Sequence, residues 1–419
     1  MESPRLVAGL VRVSGEVGLA EDLAQDALVA ALQQWPESGV PDNPGAWLMA
    51  VAKRRWIDLV RRSTTLERKQ EELGRTIEAN RDPAVDLETR ADDDIGDDIL
   101  RLLFIACHPV LSKEARVALT LRLLGGLRTE EIARAFLVPE ATVAQRIVRA
   151  KRTLGEARVP FEVPAGPDRA ARLGSVLEVI YLVFNEGYAA TAGDDWIRPA
   201  LCEDALRLGR ILAELEPTEP EVHGLVALME IQASRLRART GTRGEPIVLL
   251  DQDRGRWDRL LIRRGLAALE RAERLGGALG PYALQAAIAA CHARARTPEE
   301  TDWLRIVALY DALAQLMPSP IVELNRAVAV SMAFGPAAGL DLVDALTEEP
   351  SLRGYHLLPS VRGDLLAKLG RLDEARREFA RAASLTRNTS ERNLLLGRAA
   401  ACTGRQGSSG DAGGGDASG

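Results

Sequence analysis

Residues 126–154 constrain the fold of this chain more than any other segment, because they carry two sets of helix signals around one short break. Thr129 is predicted to cap the first helix, with Glu130 and Glu131 in the first turn, where carboxylates meet free backbone N–H groups. Pro139 ends that helix, because it fixes its own φ and disfavours α geometry in the residue before it. The pattern predicts a helix-turn-helix.

The second helix of this motif has an apolar face and a basic face. Val143, Ile147 and Leu154 recur at helical spacing and are predicted to face inward. The other face carries polar and cationic side chains, namely Thr142, Gln145, Arg146, Arg149, Lys151 and Arg152. Such a helix after a short turn fits the DNA major groove. An ordinary helical hairpin with a solvated basic face remains the alternative at this point.

Composition favours an all-α protein of two to four domains. Aromatic residues make up 4% of the 419 residues, while Ala, Leu and Arg, which are good helix formers, dominate. No apolar run approaches the ~20 residues that a bilayer span needs, and the first residues lack a secretion signal. We therefore expect a cytoplasmic protein without a membrane segment. Its four scattered cysteines are expected to be free thiols.

Charge is unevenly distributed along the chain, although the net charge is only -6. Residues 53–62 hold five basic side chains and one acid, and residues 146–158 repeat that balance. Residues 86–98 between them hold seven acids and one arginine. Distribution matters more than the total for nucleic-acid binding. Two basic islands joined by an acidic link indicate a modular DNA-binding half.

The chain is expected to divide into five segments. The first contains two predicted helices, a polar linker follows, and the third contains the helix-turn-helix. A long helical region comes next, and the last segment is a Gly- and Ser-rich tail that we expect to be disordered. The predicted bounds are 1–63, 64–94, 95–158, 168–401 and 402–419.

The helical region shows recurring helix pairs, and residues 364–385 (DLLAKLGRLDEARREFARAASL) resemble a tetratricopeptide repeat. It carries no recognisable catalytic constellation, because its histidines are isolated from any nucleophile. Asp251 and Asp253 lack the further ligands of a calcium loop. We therefore predict no enzymatic activity, no metal and no cofactor.

Three motifs of the first 155 residues, in order, resemble the extracytoplasmic-function (ECF) group of bacterial RNA polymerase sigma factors, which keep only regions 2 and 4. They are AEDLAQDALVAALQQW, NPGAWLMAVAKRRWIDLVRR and the helix-turn-helix ending in RIVRAKRTL. The remainder is similar to the ECF subgroup with a long tetratricopeptide-like extension. Its signature segments are FNEGYAAT, DDWIRPALCEDALRLGR and DQDRGRWDRL.

The resemblance implies roles for region 2, taken as residues 1–63. The acidic face of its first long helix would dock on the clamp helices of the polymerase β′ subunit, through Glu21, Asp22, Gln25 and Asp26. The next helix would hold the non-template strand of the −10 element, which needs a cationic track and stacking surfaces. The implied residues are Lys53, Arg54, Arg55, Trp56, Arg61 and Arg62. Trp56 has a core role as an equal alternative, and Trp47 is expected in the core.

For region 4, residues 95–158, the resemblance implies contact with the β flap of polymerase and readout of the −35 element. Thr142, Gln145, Arg146 and Arg149 would face base edges, whereas Lys151 and Arg152 would touch phosphates. The acidic linker would thread through polymerase channels built for nucleic acid.

The extension is implied to regulate the sigma core in response to a protein, peptide or small-molecule signal. Its polar residues in the signature segments have two equal interpretations, a switching surface or simple capping and packing. A rival function for the chain is a helix-turn-helix repressor or activator with a tetratricopeptide-like sensor. That rival leaves the features of residues 19–62 unexplained.

Overall fold

The computed structural model describes residues 2–71, 95–242, 244–276 and 278–404, which are almost wholly helical. The predicted all-α class is confirmed. The chain splits into two compact units, Met1–Leu182 and Val183–Gly419. Within the described residues, no helix has the length and apolar character needed to cross a bilayer.

Three helices form the first part of the first unit: α1 (Glu2–Ser14), α2 (Val17–Ser38) and α3 (Pro44–Glu71). The side chain of Asn43 accepts a hydrogen bond from Ala46 N at 3.0 Å and so caps α3. This helix continues nine residues past the predicted end at residue 62. The rest of the predicted linker, residues 72–94, lies outside the described residues.

The second part of this unit contains α4 (Ile95–Ala106), α5 (Lys113–Thr120), α6 (Thr129–Phe136) and α7 (Glu140–Glu156), with a π-helical turn at Leu121–Gly125. The predicted helix-turn-helix is α6 and α7, and its turn places Leu137 in the left-handed region at φ 50°.

The predicted cap of the helix-turn-helix is wrong by one residue. Arg128 is the N-cap, and its backbone N–H donates to the Glu131 carboxylate at 2.7 Å. The carboxylate of the third helical residue thus satisfies the backbone N–H of the N-cap, and Thr129, the predicted cap, is the first residue of the helix. The predicted inward residues Val143, Ile147 and Leu154 are buried.

The two parts of the first unit pack on each other, which the sequence did not predict. Helix α1 packs against α4, and α2 contacts α7. Arg12 and the buried carboxylate of Asp98 form an ion pair at 3.4 Å across the first of these contacts. The basic helix α7 therefore lies against the helix with the acidic face.

Helix α8 (Pro167–Tyr188) begins in the first unit. Arg172 donates to the Phe104 carbonyl at 3.1 Å, and the Ser175 hydroxyl donates to the Cys107 carbonyl at 2.6 Å. These bonds satisfy carbonyls at the end of α4, and so draw the start of α8 onto that part. The boundary between the units falls inside α8 and not at the Pro-rich connector.

The second unit is a succession of helices in which most pack mainly on their sequence neighbours, although α12 packs most extensively on α10. Several begin with proline, whose fixed φ suits a first helical position. The helices are α9 (Pro199–Leu215), α10 (Pro220–Ala233), α11 (Arg259–Leu275), α12 (Pro281–Arg294), α13 (Trp303–Leu316), α14 (Pro320–Phe334), α15 (Pro336–Ala345), α16 (Leu357–Lys368), α17 (Leu372–Leu385) and α18 (Thr389–Gly404). Nearest-neighbour packing is typical of helical repeat proteins. The predicted tail, from residue 405 on, lies outside the described residues.

A two-stranded parallel sheet ties the end of this unit to its beginning. Strand β1 (Ala192–Gly193) pairs with β2 (Arg387–Asn388). The buried amide of Asn388 donates to the carbonyls of Ala190 at 3.2 Å and Asp195 at 2.8 Å. The loop that follows α8 is thereby held by the segment that precedes α18.

Candidate polymerase and nucleic-acid surfaces

The acidic face of α2 has three exposed members and one buried one. Asp22, Gln25 and Asp26 are exposed, whereas the Glu21 side chain is 8% exposed. The Gln25 amide donates to the Glu21 carboxylate at 3.0 Å. Only part of the predicted polymerase-docking face is therefore open in this arrangement.

Glu21 is buried because it contacts the second part of the unit. Its two carboxylate oxygens lie 2.6 Å from Arg122 Nε and 2.5 Å from Lys151 Nζ. Burial alone would raise the pKa of Glu21, but the hydrogen bonds and charges of Lys151 and Arg122 lower it below the usual value. The carboxylate is thus ionised at neutral pH and holds α2 against α7.

The basic face of α3 is largely open. Arg54, Arg61 and Arg62 are exposed, and Lys53 is half-buried. Arg55 forms an ion pair with Asp26 at 2.8 Å, with both side chains at least 40% exposed. An exposed pair of this kind contributes only about 0–1 kcal/mol, so it can be exchanged for another partner at little cost.

The two tryptophans assigned to region 2 differ in their surroundings. Trp47 packs on Trp35, with ring centroids 5.4 Å apart and planes tilted by 59°. Both rings are half-buried, so Trp47 belongs to the edge of the helix packing. Trp56 is half-buried on α3 beside the cationic residues. Its side chain is therefore only partly covered by the helix packing.

Helix α7 presents most of its predicted DNA-reading residues to solvent. Gln145 and Arg149 are exposed, and Thr142 and Arg146 are half-buried. Arg152 is exposed and pairs with Glu156 at 2.8 Å. Lys151, assigned to phosphate contact, is 20% exposed and faces Glu21. Of the six predicted residues, Lys151 is the one held against α2.

Outside these faces, the cysteines and the potential metal ligands of the described residues have structural roles. All four cysteines are free and buried, and burial raises the pKa of Cys107 and of Cys202 to about 12, so their thiols are unreactive. Within the described ranges, no three His, Cys, Asp or Glu side chains are grouped as metal ligands.

In the extension, several of the signature residues cap or brace helices. Asp253 accepts a hydrogen bond from Gly255 N at 2.8 Å, and Glu186 pairs with Arg198 and accepts from Thr191 Oγ1 at 2.9 Å. These contacts agree with the capping and packing interpretation for those two acids. They leave the arginines and aromatic rings of the same segments to be explained.

Comparison with known proteins finds three families along the chain, and they follow the order of the predicted segments. Residues 1–65 match Sigma-70 region 2, residues 101–154 match Sigma-70, region 4, and residues 172–273 match a family of unknown function, DUF6596. Regions 2 and 4 on one chain, with basic faces on α3 and α7, define the class: a sigma factor with Sigma-70 regions 2 and 4.

Related proteins show to which group of sigma factors the chain belongs. The uncharacterized protein R00370 of Rhizobium meliloti (strain 1021) is 47% identical over 390 residues, 93% of this chain and 91% of that protein. The probable ECF RNA polymerase sigma factor SigI of two Mycobacterium tuberculosis strains is 27% identical over 158 residues, 38% of this chain and 53% of its own length. The chain belongs to the ECF group of sigma factors, in the subgroup with a C-terminal helical extension.

One solved structure, the crystal structure of yeast Tom70, aligns over 97% of this chain and 84% of its own. The TM-score is 0.32 and the sequence identity 12%, a likeness too weak to carry an argument about function.

Proposed function

We propose that this sigma factor binds core RNA polymerase, directs it to a specific class of promoters and helps to open them, under the control of its own helical extension. The observation that carries the proposal is the pairing of region 2 and region 4 in one chain, each with an exposed basic helix face. A regulator that binds only duplex DNA has no use for the first of these faces.

Region 2 supplies the polymerase and single-strand contacts in this proposal. Asp22, Gln25 and Asp26 form the exposed docking face on α2. The cationic side chains of α3 follow the backbone of the non-template strand, and Trp56 offers a ring for a base that has left its stack. Unstacking costs a few kcal/mol per step, and each captured base offsets part of that cost without ATP.

Region 4 supplies readout of intact duplex. Gln145, Arg146 and Arg149 lie on the exposed face of α7, with side-chain types that make paired hydrogen bonds to adenine and guanine edges. Each such pair discriminates against the wrong base by about 1–3 kcal/mol. Arg152 then positions the helix through phosphate.

The contact between α2 and α7 sets an order of events. Glu21 cannot meet polymerase while it binds Arg122 and Lys151. Docking through the whole acidic face therefore requires α7 to leave α2, which also frees Lys151 for DNA. We propose that the extension acts on this step. Support comes from helix α8, which begins against α4 and α5 and continues into the second unit.

The test is run-off transcription with purified full-length protein, core RNA polymerase and genomic fragments. Promoter-dependent starts are expected with the unchanged chain. The double charge reversal D22K/D26K should abolish core binding and transcription while α7 still binds duplex DNA.

The matched control is D341K/E348K, which makes the same change in net charge at two exposed acids of the second unit. This variant should bind core polymerase like the unchanged chain. Operator binding without any polymerase-dependent start would instead indicate a repressor and would contradict the proposal.

A further inference from the structure

The three signature segments of the extension meet at one cluster in the second unit. Tyr188 comes from residues 184–191, Trp196 from residues 194–210 and Trp257 from residues 251–260. Their rings surround two guanidinium groups, those of Arg235 and Arg239, which follow α10. We call these five residues the arginine–aromatic cluster.

The guanidinium groups lie over the ring faces. Cζ of Arg239 is 3.8 Å from the ring centroid of Tyr188 and 5.3 Å from that of Trp196. Cζ of Arg235 is 5.7 Å from the Tyr188 ring and 5.8 Å from the Trp257 ring. All four distances lie within the range of cation–π attraction, so the rings hold the two cations in fixed positions.

Both arginines are buried without a carboxylate. Arg235 is 8% exposed and Arg239 9% exposed, and neither forms an ion pair with any residue in the described ranges. The Nε atoms of both are buried and have no hydrogen-bond partner. Buried charges in proteins are almost always paired, because desolvation is costly. Two like charges in one cluster add to that cost.

Nearby polar groups do not relieve this charge. Burial, with the charges of Arg235 and Arg254, lowers the pKa of His292 to about 3, so this histidine is neutral. The buried carboxylates of Glu186 and Glu230 pair with other arginines, Arg198 and Arg210. The cluster is therefore left with an excess of positive charge.

A third buried arginine shows what a structural guanidinium looks like here. Arg254 donates to the carbonyls of His292 and Ala295 at 2.7 Å each, and to the Thr301 hydroxyl at 3.2 Å. Its Nε is buried without a hydrogen-bond partner, as in Arg235 and Arg239, so the difference lies in the terminal nitrogens. Those of Arg254 brace the end of α12 and the segment before α13, whereas Arg235 and Arg239 make no comparable set of bonds.

Space for a ligand adjoins the cluster. The cavity shares Trp257 with the cluster. Its volume is about 560 Å³, and its other walls include Arg237, Arg256, Thr240 and Asp258, but neither Arg235 nor Arg239. Arg237 and Arg256 are exposed and add positive charge to this cavity, while the Asp258 carboxylate accepts from Leu260 N and Leu261 N as the cap of α11. An anion entering the cavity meets two arginines and one capping acid, and then the Trp257 edge of the cluster.

We propose that the arginine–aromatic cluster and its cavity form a binding site for a small organic anion with a carboxylate or phosphate group. Guanidinium forks bind either group through paired hydrogen bonds. The rings of Trp196 and Trp257 pack against the organic part. The bound anion neutralises the two buried charges, which accounts for their retention without an acidic partner. The site is independent of the proposed role in transcription.

Isothermal titration calorimetry on the full-length protein tests this, without polymerase or DNA. The probes are phenyl phosphate and benzoate, which separate phosphate from carboxylate recognition, with chloride at equal ionic strength as the blank. At least one probe should bind saturably at concentrations below ~10 mM. If neither probe binds, the proposal is overturned.

Variants R235M and R239M should each weaken binding by roughly tenfold or more, since each removes a charge-assisted pair of hydrogen bonds. The control R274M removes an exposed arginine of α11 and should bind like the unchanged chain.

Thermal unfolding without ligand shows whether a variant that binds weakly has lost its fold. R235M and R239M should melt at or above the unchanged chain, because each removes an uncompensated buried charge. A large drop in melting temperature for both, or unchanged binding in both, would show that the two arginines are structural and would overturn the proposal.

Discussion

The carboxylate of Glu21 and the ammonium group of Lys151 lie 2.5 Å apart, and they join α2 of region 2 to α7 of region 4. Arg122 completes this contact from the other side of the same carboxylate at 2.6 Å. One acidic side chain thus holds together two helices that the proposed function requires to separate.

Neutralising Glu21 should loosen α7 from α2. In E21Q, two partly buried cations lose their counter-charge, at a cost of about 1–2 kcal/mol to the closed arrangement. Hydrogen–deuterium exchange should show lower protection of α7, by roughly tenfold. The control D22N alters an exposed neighbour and should leave protection unchanged. Equal protection in both variants would contradict a holding role for Glu21.

Two substitutions on α7 should affect DNA binding in different ways. R149A removes a side chain that is proposed to face base edges, so it should weaken binding to the cognate −35 sequence by about 1–3 kcal/mol and relax the preference at one base pair. R152A should weaken binding to all sequences alike and reduce its salt dependence. Fluorescence anisotropy with cognate and scrambled duplexes measures both. Identical behaviour of the two variants would refute the division between bases and phosphates.

Arg254 should be necessary for the stability of the second unit. In R254M, two buried carbonyls and a hydroxyl lose their donor, which should lower the free energy of unfolding by about 2–3 kcal/mol. Urea denaturation followed by circular dichroism measures the loss. R256M, at an exposed neighbouring arginine, should change stability by no more than about 0.5 kcal/mol. A small effect of R254M would mean that solvent replaces its hydrogen bonds.

His292 should make the protein less stable in mild acid. Its pKa is about 3 in the folded chain, against an ordinary value of 6.5. Between these values the unfolded state binds more protons, so stability falls as pH is lowered through this window. From pH 7.5 to 5.5 the loss should be about 1.4 kcal/mol. Over the same pH range the free energy of unfolding of H292Q should fall by about that much less than in the unchanged chain. This difference does not depend on whether the substitution itself changes stability. An unchanged pH dependence would contradict the assignment.

The Asn388 side chain should hold the loop that carries Trp196 in its folded conformation. N388A leaves the carbonyls of Ala190 and Asp195 without their donor, at a cost of about 1–3 kcal/mol locally. Limited proteolysis should then cut residues 190–198 faster, while cutting in the first unit is unaffected. The control S390A removes an exposed hydroxyl that donates to Asp194 at 2.7 Å and should have a smaller effect. Equal proteolysis rates of this loop in N388A and the unchanged chain would contradict the prediction.

Local signals predicted much of the helix pattern. The sequence predicts helices at residues 199–215 and 372–385, and α9 and α17 have those bounds, because a starting proline or a preceding Gly-Arg turn and an amphipathic stripe act within a few residues. The start of α11 differs from the prediction. The sequence predicts a start at Trp257, but the helix begins at Arg259, because Asp258 caps it by accepting from Leu260 N at 2.9 Å.

Contacts between distant segments were not predictable from one sequence. Glu21 and Lys151 are separated by 130 positions, and nothing in either segment signals the other. The same holds for Arg239 and Tyr188, because only the segment of Tyr188 was marked by the resemblance. The candidate surfaces of α2, α3 and α7 were predictable as faces of single helices. The occlusion of Glu21 and Lys151 by one another was not, because it depends on tertiary packing.

The pairing of β1 with β2 also affects the order in which the chain can fold during translation. The 195 positions between Ala192 and Arg387 take a ribosome roughly 10–40 s to translate. Throughout that interval the Trp196 loop lacks the strand that anchors it, although regions 2 and 4 have already emerged. A nascent chain can therefore fold regions 2 and 4 before the arginine–aromatic cluster is complete.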